Sequence, residues 1–319
     1  MKCVVTGAAG FIGSHLSGEL LRAGHEVVGI DAFIPYYPRA IKERNQADLL
    51  PNPRYHFVEL DLRHGQLEGL VADADVVFHL AAMAGLLRSW THFDDYLTCN
   101  LQATQRLLET IRQKGPQLKR FLYASTSSVY GEFASGDEQL ATNPVSPYGV
   151  TKLAAESLCQ AYRLTYGVPL VVLRYFSVYG PRQRPDMGYH RFIQALLRDE
   201  PLIVYGDGQQ VRGNTFVRDC VAATVAAVEA DPGEIYNVGG GETASVWDII
   251  RKIEAVSGRR AKIGHEPARP GDQRSTLADT IKLRKHLGWQ PQTRLDDGLA
   301  QQWQWQKQEW EQGQAASRD

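Results

Sequence analysis

Tyr148 and Lys152 lie four residues apart in a stretch of helical patterning, a spacing that brings both side chains to one face. A tyrosine at its ordinary pKa of about 10 is a poor base near neutrality, and a neighbouring ammonium favours its phenolate. The pair therefore suggests a general base for alcohol chemistry. Alone, Tyr-x-x-x-Lys is an everyday feature of amphipathic helices. Here it has company, because Ser125-Thr126-Ser127-Ser128 follows an apolar run at 119–124. Hydroxyls at a strand end can hold a substrate oxygen and relay a proton, although such clusters also serve simply to cap turns.

A second constellation lies near the N-terminus. Thr6-Gly7-Ala8-Ala9-Gly10-Phe11-Ile12-Gly13 joins a strand pattern to a helical one, the context in which a glycine-rich turn binds a dinucleotide. Gly7 makes the turn, Gly10 lets the backbone approach a pyrophosphate, and Gly13 permits close helix–strand packing. The diphosphate then meets the positive end of the helix. Asp31 ends the next strand pattern, where a carboxylate holds a ribose 2′-hydroxyl. No arginine follows it directly, so a 2′-phosphate would meet an uncompensated negative charge, and NAD is expected over NADP. Asp61-Leu62 ends a third strand pattern, where the adenine edge would lie.

These residues need a scaffold that brings strand ends together. Apolar runs of strand length at 2–6, 26–31, 55–60, 75–80, 119–124 and 169–176 alternate with helical spacing at 11–22, 98–114 and 147–166. Such alternation predicts an α/β fold: a doubly wound parallel (Rossmann) sheet covered on both faces. Gly24 suits a helix C-cap, Ser146-Pro147 a helix start, and Ser245 with Asp248 a capping box. Past about residue 180 the rhythm breaks into long stretches at 180–215 and 264–276, read as functional loops. The expected division is an NAD-binding domain over 1–176, with 213–240 crossing back to it, and a smaller C-terminal α/β substrate lobe over 177–319.

Bulk properties narrow the partners. The 319 residues carry 35 Lys+Arg against 36 Asp+Glu, which favours neither a nucleic acid nor a membrane surface. Cys3, Cys99, Cys159 and Cys220 are scattered without a Cys-x-x-Cys pair, so buried thiols are expected and no metal site. The chain shows no signal segment and no apolar run of bilayer length, and a cytoplasmic setting is expected.

Taken together, Gly7-x-x-Gly10-x-x-Gly13, His79-Leu80-Ala81-Ala82, Asn100, Ser125-Thr126-Ser127-Ser128-Val129-Tyr130-Gly131 and Tyr148-Gly149-Val150-Thr151-Lys152 resemble the extended short-chain dehydrogenase/reductases over roughly residues 1–300. Within them, the segment Arg174 to Met187 (RYFSVYGPRQRPDM) looks most like the UDP-glucuronate 4-epimerases. The resemblance implies NAD held by Gly7, Gly10, Phe11, Ile12, Gly13, Asp31, Asp61, Leu62, Leu80, Ala81, Ala82, Asn100, Ser125, Tyr148, Lys152 and Tyr175. It implies proton handling by Tyr148 with Thr126, Ser127 or Ser128, and a UDP-sugar held by Arg212, Arg269 and Asp272. Ser177 and Arg184 are candidates for the sugar carboxylate, with Arg88 a further one, and Arg184 could equally be a solvated loop cation. A homodimer through the helices 98–114 and 147–166 is likewise implied.

Two departures stand out. Ser177 replaces the threonine usual in that subfamily, keeping a hydroxyl. Gly213-Asn214 replaces an Asp-Phe pair after Arg212, which puts the local loop geometry in question. Competing readings share the fold. A decarboxylase pattern carries Glu in the serine-rich segment, and a 4,6-dehydratase needs an acid pair after the threonine; Ser127-Ser128 supplies neither. An epimerase of UDP-glucose or UDP-N-acetylglucosamine, or a non-catalytic NAD-binding sensor, remains open at this point.

Overall fold

Alternation along the strands decides the architecture. In the computed structural model, which describes residues 1–114, 118–268 and 273–316, seven strands form the main sheet. They are β1 (Lys2–Thr6), β2 (Glu26–Asp31), β3 (Tyr55–Glu59), β4 (Val76–His79), β5 (Arg120–Thr126), β6 (Leu170–Tyr175) and β7 (Ile235–Val238). Their order is β7-β6-β5-β4-β1-β2-β3, and every neighbouring pair is parallel. Because successive side chains point to opposite faces, Cys3, Val5, Leu122, Val171 and Leu173 pack on one side with the helices Phe11–Arg22 and Val217–Ala226. Val4, Phe121, Tyr123, Leu170 and Val172 pack on the other, with Ala103–Lys114 and Pro147–Tyr166. Both faces are buried, as the unbroken apolar runs predict.

The helix signals hold. Ser146 caps Pro147–Tyr166 by accepting from the Gly149 amide at 3.1 Å, and Ser245 with Asp248 forms the capping box of Val246–Ser257. Gly24 takes a left-handed φ of +86° just past Phe11–Arg22. Three details depart from the sequence reading. The stretches 180–215 and 264–276, read as loops, contain helix Gly188–Arg198 and strands Leu202–Tyr205 and Val211–Gly213, with strands Ile263–Glu266 and Ser275–Ala278 overlapping the second, because their apolar residues pair and pack only in the tertiary structure. The helix expected at 98–114 begins as a π-helical stretch, Leu97–Gln102, before becoming α-helical at Ala103. The strand expected to stop at 124 runs on to Thr126, because Ser125 and Thr126 pair with Arg174 and Tyr175 of β6.

Beyond the main sheet, Thr243–Ser245, Val211–Gly213, Ser275–Ala278 and Phe133–Gly136 make a small mixed sheet. Val178–Tyr179 pairs with Thr215–Phe216, and Leu202–Tyr205 with Ile263–Glu266. Of these short elements Val178–Tyr179 reaches the cleft outside the carboxyl ends of β5 and β6, through Val178, while Leu202–Tyr205 and Val211–Gly213 reach an adjoining cavity. The strand order reverses between β1 and β4, the place where an open α/β sheet leaves a crevice for ligands.

Candidate functional site

The crevice is a cavity of about 390 Å³ running along the strand ends, within the usual range for a ligand site. At one end the glycine turn forms its wall. Gly7 has φ +72°, and a Cβ there would stand 2.9 Å from the Ala81 amide nitrogen. A Cβ on Gly13 would overlap the Gly7 carbonyl. Glycine is therefore required at both positions by close backbone approach. Helix Phe11–Arg22 starts at Gly10 with no side-chain cap and no acid in its first turn, so its amides face the cavity unopposed and suit a pyrophosphate.

The strands that frame this turn are held by a polar column. Thr6 Oγ1 accepts from the Leu80 and Ala81 amides, both at 3.1 Å, and lies 2.8 Å from His79 Nδ1. His79 Nε2 reaches Thr104 Oγ1 at 2.9 Å, and that hydroxyl donates to the Asn100 carbonyl at 2.6 Å. Burial holds the imidazole neutral, with its pKa lowered to about 3. Asn100 does not line the cavity. Its side chain brackets Met83, accepting from the amide at 2.7 Å and donating to the carbonyl at 3.0 Å, and it also donates to Thr151. These three bonds fix the wall beside the cavity.

Both acids at the far end are paired. Asp31, buried at the end of β2, accepts from the Phe33 amide at 2.9 Å and from Lys42 Nζ at 3.3 Å. The expectation of an uncompensated charge beside the ribose is corrected here: a buried lysine eleven residues on supplies a counter-charge. Asp61 accepts from Arg63 Nη2 at 2.7 Å. Burial would raise its pKa, but the Arg63 bonds outweigh it and carry it below the usual value. Phe11, Ile12, Leu62, Leu80, Ala81, Ala82 and Tyr175 line the same cavity. Lys42 and Arg63 do too, and no motif spacing marks either in the sequence.

The hydroxyl run and the Tyr–Lys pair meet at the other end. Ser125 lines the cavity, yet its hydroxyl donates to buried Glu156, which pairs with Arg174 at 2.8 Å. Thr126 Oγ1 accepts from the Ser128 amide at 3.1 Å, donates to Ser128 Oγ at 3.2 Å, and stands close enough to the Tyr148 phenol to lower its pKa. Ser127 and Ser128 stand in the single turn that follows. Gln273, another lining residue that sequence reasoning missed, donates to the Gly131 carbonyl at 2.7 Å and packs beside Ser127.

The electrostatics differ from the sequence argument. Burial raises the pKa of Tyr148; the Thr126 bond and the Arg184 charge pull it down, and Lys152 is not among the groups that move it. Lys152 Nζ instead sits 4.1 Å from the centroid of the Tyr123 ring. Burial lowers its own pKa to about 7, opposed in part by Cys159 and Glu156.

The segment 177–187 after β6, here the strap, lies at the sugar end. Ser177 has a left-handed φ of +37° and places its Oγ 3.2 Å from Thr276 Oγ1. Arg184 lines the cavity and is clamped to Asp186, with bonds of 3.0 and 2.9 Å, so it is not the solvated cation considered above. Burial opposes its charge, and the Asp186 pair outweighs burial and keeps it protonated. Tyr36 donates to the same carboxylate at 3.1 Å, tying the wall after β2 to this strap. Arg88 lines no part of the cavity. It packs behind Tyr36, 5.1 Å from the ring centroid, with a weak 3.6 Å pair to Asp95.

Arg212 lines an adjoining cavity of about 310 Å³ that shares Ser177, Val178 and Met187 with the first. Arg269 and Asp272 lie outside the described residues. Asn214 answers the question raised by the Gly213-Asn214 pair: its amide donates to the Arg212 and Glu242 carbonyls, both at 3.0 Å, while its oxygen accepts from Tyr189. The polar replacement is buried with its bonds made. Among the described residues no His/Cys/Asp/Glu group could hold a metal ion, and all four cysteines are buried thiols.

Comparison with known proteins agrees with this geometry. Residues 3–239 match the model of the NAD dependent epimerase/dehydratase family. The chain is 47% identical over 305 residues to the uncharacterized UDP-glucose epimerase YtcB of Bacillus subtilis, covering 94% of this chain and 96% of that one. It is 35% identical over 310 residues to a UDP-glucuronate 4-epimerase of Thermodesulfobacterium geofontis, covering 95% of each. The crystal structure of the UDP-glucuronic acid 4-epimerase of Bacillus cereus in complex with UDP-glucuronic acid and NAD superposes with a TM-score of 0.94, at 46% identity, covering 97% of this chain and 99% of that one.

The depressed Lys152 sets a pH window. In the unfolded chain its proton is held up to the ordinary value of 10.5; in the fold it is lost from about 7. Between the two the unfolded state binds more protons, so this residue's contribution to stability rises with pH. In cofactor-free protein, the urea midpoint of the wild type should gain on that of Lys152→Met as pH is raised from 7 to 10. A constant difference would contradict the buried-lysine account.

Proposed function

We propose that this chain, which belongs to the NAD-dependent epimerase/dehydratase family, inverts C4 of UDP-glucuronate to give UDP-galacturonate. The observation that carries the acidic-sugar reading is Arg184: a largely buried guanidinium set into the wall of the cavity that Ser177, Ser127 and Ser128 also line. A carboxylate is the natural partner for such a fork.

The glycine turn, the uncapped helix amides, Asp31 and Asp61 fit an NAD bound along β1–β3, with its nicotinamide toward Tyr148. When bound, NAD accepts the C4 hydride and returns it, and so is not consumed. The chain's own part is proton handling and grip. Tyr148 takes the proton of the sugar 4-hydroxyl and gives it back on the other face, with Thr126 holding the phenol oxygen. The adjoining cavity at Arg212 takes the UDP, leaving the sugar free to turn over between the two hydride steps.

The oxidised sugar is a β-keto acid, which loses carbon dioxide when its carboxylate bond aligns with the ketone π system. Arg184 and Ser177 are placed to hold the carboxylate out of that alignment. Among the described residues lining the main cavity the carboxylates are Asp31 and Asp61, both at the adenosine end. The acid that a dehydratase would need near Thr126 is missing from that set. A second reading, a 4-epimerase of a neutral UDP-sugar, draws on one observation: Arg184 already has Asp186 as its counter-charge, so a neutral sugar would meet no unbalanced cation.

A homodimer fits the outer face of the helix pair. Val150, Ser157, Ala161 and Leu164 form one exposed stripe along Pro147–Tyr166, and Leu97 is exposed on the neighbouring helical segment. Two tests follow. Arg184→Ala should depress turnover of UDP-glucuronate more than of UDP-glucose and release UDP-pentose with carbon dioxide; an unchanged product ratio would remove Arg184 from its role. Leu164→Glu, at a residue 73% exposed, should convert a dimer into a monomer in sedimentation velocity, and an unaltered sedimentation coefficient would dismiss this face as the interface.

A further inference from the structure

The Arg184 guanidinium offers two forks: a side-on one, from Nε and one terminal nitrogen, and an end-on one, from both terminal nitrogens. Asp186 occupies the side-on fork, with Nε 3.0 Å from Oδ1 and Nη2 2.9 Å from Oδ2. Nη1 makes no hydrogen bond among the described residues, yet it is not one of the buried atoms left without a partner, so it faces accessible space. Arg184 lines the main cavity, whereas Asp186 lines the adjoining one and not the main one. The carboxylate thus holds the guanidinium by its flank and leaves the Nη1 end for a ligand.

An ion pair to a carboxylate 35% exposed is a loose hold by itself. Tyr36 stiffens it. Its hydroxyl donates at 3.1 Å to Asp186 Oδ2, the oxygen that also takes Arg184 Nη2. Its ring centre lies 5.6 Å from the guanidinium carbon of Arg184 and 5.1 Å from that of Arg88, within reach of a cation–π attraction to both. The tyrosine is closely fitted: a Cβ on Gly85 would overlap its hydroxyl, and Tyr96 fixes the Gly85 carbonyl with a 2.9 Å bond. Tyr96 also packs edge-on against Tyr148, with ring centroids 6.2 Å apart. The support of this clamp is therefore also a support of the base.

We propose that Tyr36 and Asp186 are positioning residues that set a preference for an acidic sugar, by turning the Nη1 end of Arg184 toward the sugar carboxylate and holding it there. The inference rests on the acidic-sugar reading above, and it gives Asp186 a role opposite to that of a simple counter-charge. As a counter-charge alone, Asp186 weakens the grip on a substrate carboxylate, and its removal strengthens that grip. As a clamp, its removal lets the guanidinium swing, and the grip on a carboxylate is lost with the geometry.

The test compares UDP-glucuronate with UDP-glucose by calorimetric titration into NAD-loaded enzyme carrying Tyr148→Phe, which stops turnover during the measurement. Tyr36→Phe keeps the ring and removes the hydroxyl; Asp186→Asn keeps the shape and removes the charge. Each should weaken UDP-glucuronate about fivefold, the loss of roughly one hydrogen bond, and leave the affinity for UDP-glucose unchanged. Equal losses for the two sugars would reduce both residues to structural supports. Unchanged affinities would remove them from the site, and tighter UDP-glucuronate binding in Asp186→Asn would make Asp186 a counter-charge only. Any of these three results overturns the proposal. Arg184→Ala in the same background separates the two readings. If it abolishes a preference for UDP-glucuronate that the other variants retain, the clamp fails and the acidic-sugar reading stands. If it changes no preference, the acidic-sugar reading fails and the clamp falls with it.

Discussion

The Thr6 hydroxyl sits where the sheet changes direction, and the site depends on what it holds. It accepts from two successive amides beyond β4, so its own proton goes to His79 Nδ1. His79 then carries its proton on Nε2 and donates to Thr104, which donates to the Asn100 carbonyl. A chain of bonds with one consistent direction therefore locks β1 and β4 to the helix behind them. A histidine able to titrate would break this order at mild acidity; burial keeps the ring neutral and removes that possibility. With the floor of the crevice fixed, the glycine turn can come within van der Waals distance of Ala81, and the cofactor cleft acquires a rigid edge.

From that edge the cleft is closed by side chains that meet over long sequence separations. Tyr36 follows β2 and Asp186 lies in the strap after β6, yet one hydrogen bond joins them and positions Arg184. Glu156, Arg174, Ser125 and Tyr130 form a buried polar group that ties helix Pro147–Tyr166 to β5 and β6, with Arg174 Nη1 donating to Tyr130 at 2.8 Å. Buried networks of this kind cost desolvation and return specificity of arrangement only when every member is satisfied. Here they bring the hydroxyl run and the Tyr148 helix into one register.

This explains what could be read from the chain and what could not. The strands were legible because a sheet buried on both faces demands unbroken apolar runs, and the glycine turn and Tyr148-x-x-x-Lys152 because their chemistry depends on local spacing. Ser125 and Thr126 escaped the strand assignment because polar residues at a strand end look like a turn until the β6 partners are known. Lys42, Tyr36, Asp186 and Gln273 reach the site only through tertiary packing, which no spacing encodes. Asn100 was assigned to the cofactor by resemblance; that its side chain brackets Met83 is visible only in the fold. The burial of Lys152 and Tyr148, which moves both of their pKa values, is a property of the whole fold that helix spacing does not carry.

On the reading proposed above, the cleft oxidises, turns over and reduces an acidic sugar without letting its carboxylate leave. Incubation of the purified protein with UDP-glucuronate and NAD, with products resolved by chromatography and proton NMR, addresses it directly. UDP-galacturonate with no carbon dioxide is expected. UDP-pentose as the main product, or inertness toward UDP-glucuronate alongside turnover of UDP-glucose, would contradict it.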